Sequence, residues 1–284
     1  MNNKYYKNPF NYIGAKYKIL DQIYPLFPQD CDIIVDLFGG SGEVGLNSGY
    51  KKIIYNEKCI PLVNIMQNID DKFVEEVKSC IKQWNLGKFN KEEFLNLRKY
   101  YNENLKDVNN RESAVVLYSL LTHSFNYQLA FNSKREFNMP SGFARSWFSP
   151  TLENKLIKYN ELIKNKSIVF NSEDFADLDI PSKSFIYCDP PYLITVGSYE
   201  RDYFCKWSED KERQLLAFLD KKNEEGFKFA LSNVLYHKGK SNTILDNWSK
   251  KYNINHLDKD YSNCNYQTNQ KINKYSDEVL ITNY

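Results

Sequence analysis

The sequence predicts an α/β fold, a doubly wound Rossmann-like sheet interrupted by a mainly helical insertion. Three observations carry that expectation. A compact apolar run, Asp32 to Phe38, ends in glycines and is followed by a helix start and a second short apolar run. Helical spacing then takes over from Asp71 to about His123. Strand-like runs return at Ser167, so two α/β halves flank the insertion.

Element by element, Asp32 to Phe38 is a buried strand running into a tight turn, because its apolar residues are continuous and glycines stop it. Val44 to Asn47 begins a helix. Lys51 to Tyr55 is the second strand, ending at Asn56 and Glu57, and Ile60 to Ile69 is the helix after it. Within the insertion, Phe73, Val74, Val77 and Ile81, then Phe94 and Leu97, then Val115, Val116 and Leu120 fall at helical spacing. Phe125 to Gly142 breaks that period and is rich in Asn, Ser, Arg and aromatics, which predicts a hairpin or structured loop. Ser167 to Phe170 and Lys183 to Cys188 return to strand character. Ser208 to Glu225 is an amphipathic helix and Phe227 to Leu231 a further strand. Asn253 to Leu257 and Glu278 to Thr282 are expected as an edge hairpin.

The 42% hydrophobic content is ample for a buried core. No apolar run approaches bilayer length, and Met1 to Phe10 carries Lys and Asn where a signal peptide would be apolar. A soluble, cytoplasmic protein without a membrane partner is expected. The six cysteines (Cys31, Cys59, Cys80, Cys188, Cys205, Cys264) form no CxxC pair, so they are read as reduced thiols and no metal site is expected. A net charge of +2 is too small to announce a nucleic-acid partner, so any such claim rests on local charge.

Asp36-Leu37-Phe38-Gly39-Gly40-Ser41-Gly42 lies at the carboxyl end of the first strand, where open α/β sheets bind ligands. Glycines there permit positive φ and close approach of a ligand to the backbone. Glu57, ending the second strand, can accept hydrogen bonds from both hydroxyls of a ribose. FxGxG is not the GxGxxG of nicotinamide enzymes. S-adenosylmethionine is the better candidate, having a ribose, no pyrophosphate, and a sulfonium that Asp36 and a second nearby carboxylate would attract.

Phe185-Ile186-Tyr187-Cys188-Asp189-Pro190-Pro191-Tyr192 delivers an acid, two rigid prolines and an aromatic ring to the same edge of the sheet. The exocyclic N6 of adenine is a poor nucleophile because its lone pair is delocalised into the ring. Two acceptors can localise that pair towards a methyl donor: the Asp189 carboxylate and the Pro190 carbonyl, which proline's fixed φ pre-aims. Tyr192 would stack on the base. Taken alone, the stretch could also be a strand-terminating turn.

These residues resemble the Dam-type N6-adenine DNA methyltransferases (D12 class, alpha group), with the nearest likeness to the T-even phage Dam branch. Pro9-Phe10-Asn11-Tyr12-Ile13-Gly14-Ala15-Lys16 resembles the family's N-terminal motif, Asp36 to Gly42 its cofactor loop, and Asn56-Glu57 its ribose-binding acid. Ser124-Phe125-Asn126 with Glu136-Phe137-Asn138-Met139-Pro140 resembles its DNA-reading hairpin, and Asp189 to Tyr192 its catalytic loop. Asp189 to Val196 and Leu231-Ser232-Asn233-Val234 carry the phage-branch likeness. The resemblance implies a class I methyltransferase core, residues 1–70 and 167–284, with a target-recognition insertion over 71–166. It implies that Tyr12, Lys16, Glu57 and Asp189 line the cofactor and transfer site, with Asp174-Phe175 against the cofactor's adenine.

One departure bears on specificity. GATC-methylating members carry an arginine four residues after the Asn matching Asn126, where this chain has Ala130, so the resemblance leaves open whether the target is GATC. Gln128 suits either of two roles, reading adenine through N6 and N7 or making a packing or backbone hydrogen bond. Lys134, Arg135 and Arg145 fall in the hairpin region and suit phosphate contact, with Asn126, Gln128 and Asn132 as candidate base contacts. Lys155 to Lys166 is either a further basic face or a solvated one. Double-stranded DNA is the expected substrate, its target adenine rotated out of the helix. A cognate restriction endonuclease is a further candidate partner, and a monomer or weak dimer is expected. Tyr199 to Trp207 is expected to cover the catalytic loop or to form a surface loop. The rival readings are methylation of another amine or amide, such as an RNA base or protein glutamine, and a DNA-occupancy protein without catalysis.

Overall fold

The computed structural model describes residues 4–198, 203–204, 206–258 and 275–284. Strands β1 (Ile33–Asp36), β2 (Lys52–Asn56), β3 (Ser167–Asn171), β4 (Ser184–Cys188), β5 (Lys228–His237), β6 (Lys240–Ser241), β7 (Asn253–Leu257) and β8 (Ser276–Thr282) form one sheet. Its order is β3-β2-β1-β4-β5-β8-β7, with β6 paired to β5. The first five strands run parallel, whereas β8 is antiparallel to both β5 and β7. Asp36 pairs with Tyr55 on one side and Tyr187 on the other, so the ends of β1, β2 and β4 are level. That register brings the glycine turn, Glu57 and Asp189 to one rim.

Alternate residues of each strand serve opposite faces. Ile34, Phe185 and Tyr187 pack into one core, Val35, Ile186 and Cys188 into the other. The second core is covered by α8 (Glu209–Glu224) and α9 (Thr243–Ser249) through Leu215, Leu219 and Leu245. The first is covered by α1 (Leu20–Ile23), α2 (Glu43–Asn47), α3 (Ile60–Asn68), α4 (Phe73–Gln83), α5 (Lys91–Tyr100), α6 (Arg111–His123) and α7 (Pro150–Lys164).

Helix α6 begins with a capping box: the Asn110 side chain accepts from the Ser113 amide, and Ser113 accepts from the Asn110 amide. Every one of its residues from Ser113 to His123 is buried, so it is a central post of the cluster that covers this face of the sheet. Phe73, Val77, Phe94, Leu97 and Tyr118 belong to the same buried cluster as the sheet residues Ile34 and Tyr55. Helix α7 runs directly into β3, and its Tyr159 hydroxyl donates to the Ser41 carbonyl in the glycine turn.

The last two strands pair antiparallel as the expected edge hairpin, β7 outermost and β8 inside it, next to β5. The run Val279, Leu280 and Ile281 of β8 is wholly buried, as an inner strand covered on both faces requires. One expectation is corrected: strand β5 runs on past Leu231 to His237, so Ser232 and Asn233 lie inside it, fully buried. Among the described residues no helix is long and apolar enough to cross a membrane, and no group of His, Cys, Asp and Glu could hold a metal ion. Cys31, Cys80 and Cys188 are free thiols, and Cys205 and Cys264 lie outside the described residues.

Candidate active site

A cleft of about 1270 Å³, counting its open mouth, lies at the carboxyl ends of β1, β2 and β4. Tyr12, Lys16, Asp36, Phe38, Gly39, Gly40, Ser41, Glu57, Phe175 and the whole of Asp189, Pro190, Pro191 and Tyr192 line it. The two segments that the sequence singled out, around residues 40 and 190, therefore meet.

The glycine turn is required first by the protein's own packing. A Cβ on Gly39 would run into the Tyr55 ring, and one on Gly40, at φ +50°, would lie 2.6 Å from the Tyr12 ring. Gly42, at φ +70°, precedes α2 in the left-handed conformation and lies behind the cleft wall against Tyr159. The Glu57 carboxylate closes the turn, accepting from the Gly40 amide and the Cys59 amide, both at 2.9 Å.

Asp36 lines the cleft with its carboxyl mostly covered. It is 2% exposed and accepts from the Gly45 amide at 3.0 Å. Burial pushes its carboxyl up to about 8; the Gly45 bond opposes this, and the neighbouring Asp189 and Glu57 add to it.

Asp189 is held from both sides. Lys16, buried beneath the cleft, donates to Asp189 Oδ2 at 2.5 Å and to the Gly14 carbonyl at 2.9 Å. The Tyr192 hydroxyl donates to Asp189 Oδ1 at 3.0 Å and reaches Glu278 Oε1 at 3.3 Å. Lys16 Nζ also lies 4.0 Å from Glu278 and 5.1 Å from the centre of the Tyr192 ring. Glu278 escaped the sequence reading. Its signal was an acid leading an apolar strand, which in an inner strand must be buried and partnered.

Asp174 does not line the cleft. Burial alone would raise its carboxyl, but hydrogen bonds from Lys58, the Ala176 amide and Lys211 hold it at about 2. The two lysines lie 2.7 Å and 3.2 Å away. Phe175 is buried within the cleft wall, 5.7 Å from the Phe38 ring and 6.4 Å from that of Trp207. Trp207, unpredicted as a site residue, completes this wall edge-on to Phe38 at 5.6 Å. Of the stretch from Tyr199 to Trp207, residues 199–202 and 205 lie outside the described residues.

The hairpin region is joined to the cleft through the N-terminal segment. The Asn11 amide donates to the Tyr127 carbonyl at 3.2 Å and its side chain to the Asn126 carbonyl at 3.1 Å. Asn126, at φ +56°, is exposed, and the half-buried Gln128 side chain makes no hydrogen bond among the described residues. Asn132 is occupied in its own turn: it accepts from the amides of Lys134 (2.9 Å) and Glu136 (3.0 Å) and donates to the Glu136 carboxylate at 2.8 Å. Lys134 and Arg145 are exposed, whereas Arg135 pairs with Asp107 at 2.9 Å. In the basic run along α7 and just beyond it, Lys164 pairs with Asp71 and Lys166 donates to the carbonyls of Ser48 and Tyr50.

A mainly parallel sheet with a cleft at its strand ends, walled by a glycine turn and an Asp-Pro-Pro-Tyr loop, defines an α/β core of the kind that binds ligands at that edge. The chain belongs to the D12 class N6 adenine-specific DNA methyltransferase family, whose model matches residues 12–263. It is similar to the type II methyltransferase M.FokI of Planomicrobium okeanokoites, 43% identical over 99% of this chain and 43% of the relative. The modification methylase StsI of Streptococcus sanguinis is 40% identical over the same shares, 99% and 43%. The DNA adenine methylase of Haemophilus influenzae is 29% identical over 65% of this chain and 63% of its own. The chain thus spans less than half the length of M.FokI and StsI.

Proposed function

We propose that this protein methylates the exocyclic N6 of adenine in double-stranded DNA, taking the methyl group from S-adenosylmethionine. The observation that carries the reading is the meeting of the glycine turn and Asp189 to Tyr192 in one cleft. The residues suit the donor: the Phe38, Phe175 and Trp207 wall matches a planar base, and Glu57 at the end of β2 matches a ribose. When bound, S-adenosylmethionine supplies an electrophilic methyl group on a sulfonium.

The chain's own residues do the rest. The Asp189 carboxylate and the Pro190 carbonyl accept the two N6 hydrogens and localise the nitrogen lone pair, with Lys16 fixing the carboxylate through Oδ2. Each carboxylate oxygen accepts two hydrogen bonds, so the base amine can share Asp189 with Tyr192 or replace it. The Tyr192 ring offers a stacking face worth about 1–3 kcal/mol. Rotating the adenine out of the duplex costs a few kcal/mol, which hairpin and phosphate contacts must offset.

In this reading residues 1–70 and 167–284 form the catalytic part and 71–166 the target-recognition part. Lys134 and Arg145 are its phosphate contacts, and Asn126 and Gln128 its base contacts. Ala130 in place of the arginine points away from GATC. The modification-methylase relatives favour a cognate restriction endonuclease as a further partner, and a monomer or weak dimer acting in the cytoplasm fits the reading.

The test is to incubate purified protein with methyl-labelled S-adenosylmethionine and unmethylated DNA, then to digest the DNA to nucleosides for mass spectrometry. Label is expected in N6-methyldeoxyadenosine, and Asp189→Ala should lose about a hundred- to a thousand-fold in rate, the scale of removing a transition-state contact group. Label in cytosine, in RNA or in protein glutamine, or undiminished activity of Asp189→Ala, would overturn it.

A further inference from the structure

Glu212, in the first turn of α8, is fully buried and has no cation within ion-pair distance among the described residues. Burial pushes its carboxyl up, and three N–H donors pull it back. One oxygen accepts from the Trp207 indole at 2.6 Å. The other accepts from the Asn233 amide at 3.2 Å and the Asn242 amide at 3.0 Å. Neither asparagine can turn round. The Asn233 side-chain oxygen accepts from the Val234 amide at 2.8 Å, and that of Asn242 accepts from the Leu245 amide at 3.1 Å. Their NH2 groups are thereby committed to Glu212, which faces donors only.

This network ties one wall of the cleft to the sheet. Asn233 belongs to β5 and Asn242 precedes α9, whereas Trp207 stands edge-on to Phe38 of the glycine turn. Phe38, Trp207 and Phe175 form the aromatic wall, yet an indole packed only on rings is free to slide. A charge-assisted hydrogen bond at one defined corner removes that freedom. We infer that Glu212 is a positioning residue which, by anchoring the Trp207 indole, sets the aromatic wall of the cleft for the planar base of the methyl donor. The inference rests on the function proposed above and assigns to Glu212 an effect on donor affinity.

The experiment is calorimetric titration of S-adenosylhomocysteine into wild type, Glu212→Gln, Trp207→Phe and the double variant, with KM for S-adenosylmethionine and kcat measured alongside. Gln has nearly the volume of Glu but puts an NH2 group against N–H donors. Trp207→Phe keeps a ring and deletes the donor. Each is expected to weaken binding about ten-fold, the scale of one charge-assisted hydrogen bond. KM should rise by a similar factor with kcat little changed. The double variant should bind no more weakly than the weaker single variant, because both remove one interaction.

Trp248→Phe is the control for general destabilisation, since Trp248 makes the same kind of bond to Asp220, at 2.9 Å, further along α8. It should lower the melting temperature and leave affinity unchanged. If Glu212→Gln fails to fold, Trp207→Phe against Trp248→Phe carries the comparison. Wild-type affinity in Glu212→Gln, multiplied losses in the double variant, or an equal loss in Trp248→Phe would overturn the inference. A wild type that binds neither S-adenosylhomocysteine nor S-adenosylmethionine would sink the proposed function as well.

Discussion

Lys16 carries its charge to a place where lysines are rarely found, 3% exposed between Asp189 and Glu278. Such a burial is tolerated only with partners, and the pair it makes fixes the acid at the mouth of the cleft. Asp36 shows the opposite solution: its carboxyl is buried with a single backbone donor and keeps its proton instead. The pH consequence has a definite sign. The folded protein binds the Asp36 proton up to about 8, whereas the unfolded chain releases it near its ordinary value of 3.8. Between those values the folded state holds more protons, so this group makes stability fall as pH rises and adds no further loss above the upper value. Asp36→Asn keeps an acceptor for the Gly45 amide without a titrating group. Urea denaturation of both proteins should show the variant gaining on wild type from pH 5 to pH 8; a constant difference would refute the assignment.

Among the elements, the turn after β1 illustrates a local signal whose cause is tertiary. Its glycines are legible as a tight turn, but what a Cβ would strike at Gly39 is Tyr55 of the neighbouring strand. Gly39→Ala is therefore expected to cost about 1–3 kcal/mol, the scale of overpacking, and to disturb the cleft. Gly49, also between β1 and β2 in sequence, has open space around it, and Gly49→Ala should change the melting temperature little. Equal shifts for the two would show that backbone freedom, not Tyr55, governs the turn. Strands β1, β2 and β4 were readable because continuous apolar runs are local facts. The inner position of β8 was not, although Val279, Leu280 and Ile281 hinted at cover on both faces.

At the scale of the molecule, one buried cluster runs from the sheet through α3, α4 and α6, and the loop after α6 is pinned to the N-terminal segment by Asn11. That loop and the cleft are thus mechanically connected through the segment that carries Lys16. Under the proposed function, exposed Lys134 and Arg145 meet phosphates, whereas Arg135 is already engaged by Asp107. Lys134→Ala and Arg145→Ala should each weaken DNA binding and lower the salt slope by about one. Arg135→Ala should do less. Fluorescence anisotropy across a salt series measures all three, and equal slopes for wild type and both variants would exclude these residues as phosphate contacts. Most of the candidate site was legible at this scale, since its motifs occur in order along the chain and the parallel register delivers them to one rim.

By itself the sequence determined the parallel α/β core, the glycine turn, and the acid-bearing loop opposite it. Each is written in neighbouring residues: apolar runs, glycines, and prolines behind an acid. The tertiary structure alone decided which polar groups are spoken for. Lys16 and Asp189 meet across 173 residues of chain, and Tyr192 and Glu278 across 86. Asn132 is taken up by its own turn, Asp174 by two lysines, and Trp207 by Glu212. Hydrogen bonding and burial depend on what lies nearby in space, and a fold brings together residues whose separation along the chain carries no trace of that proximity.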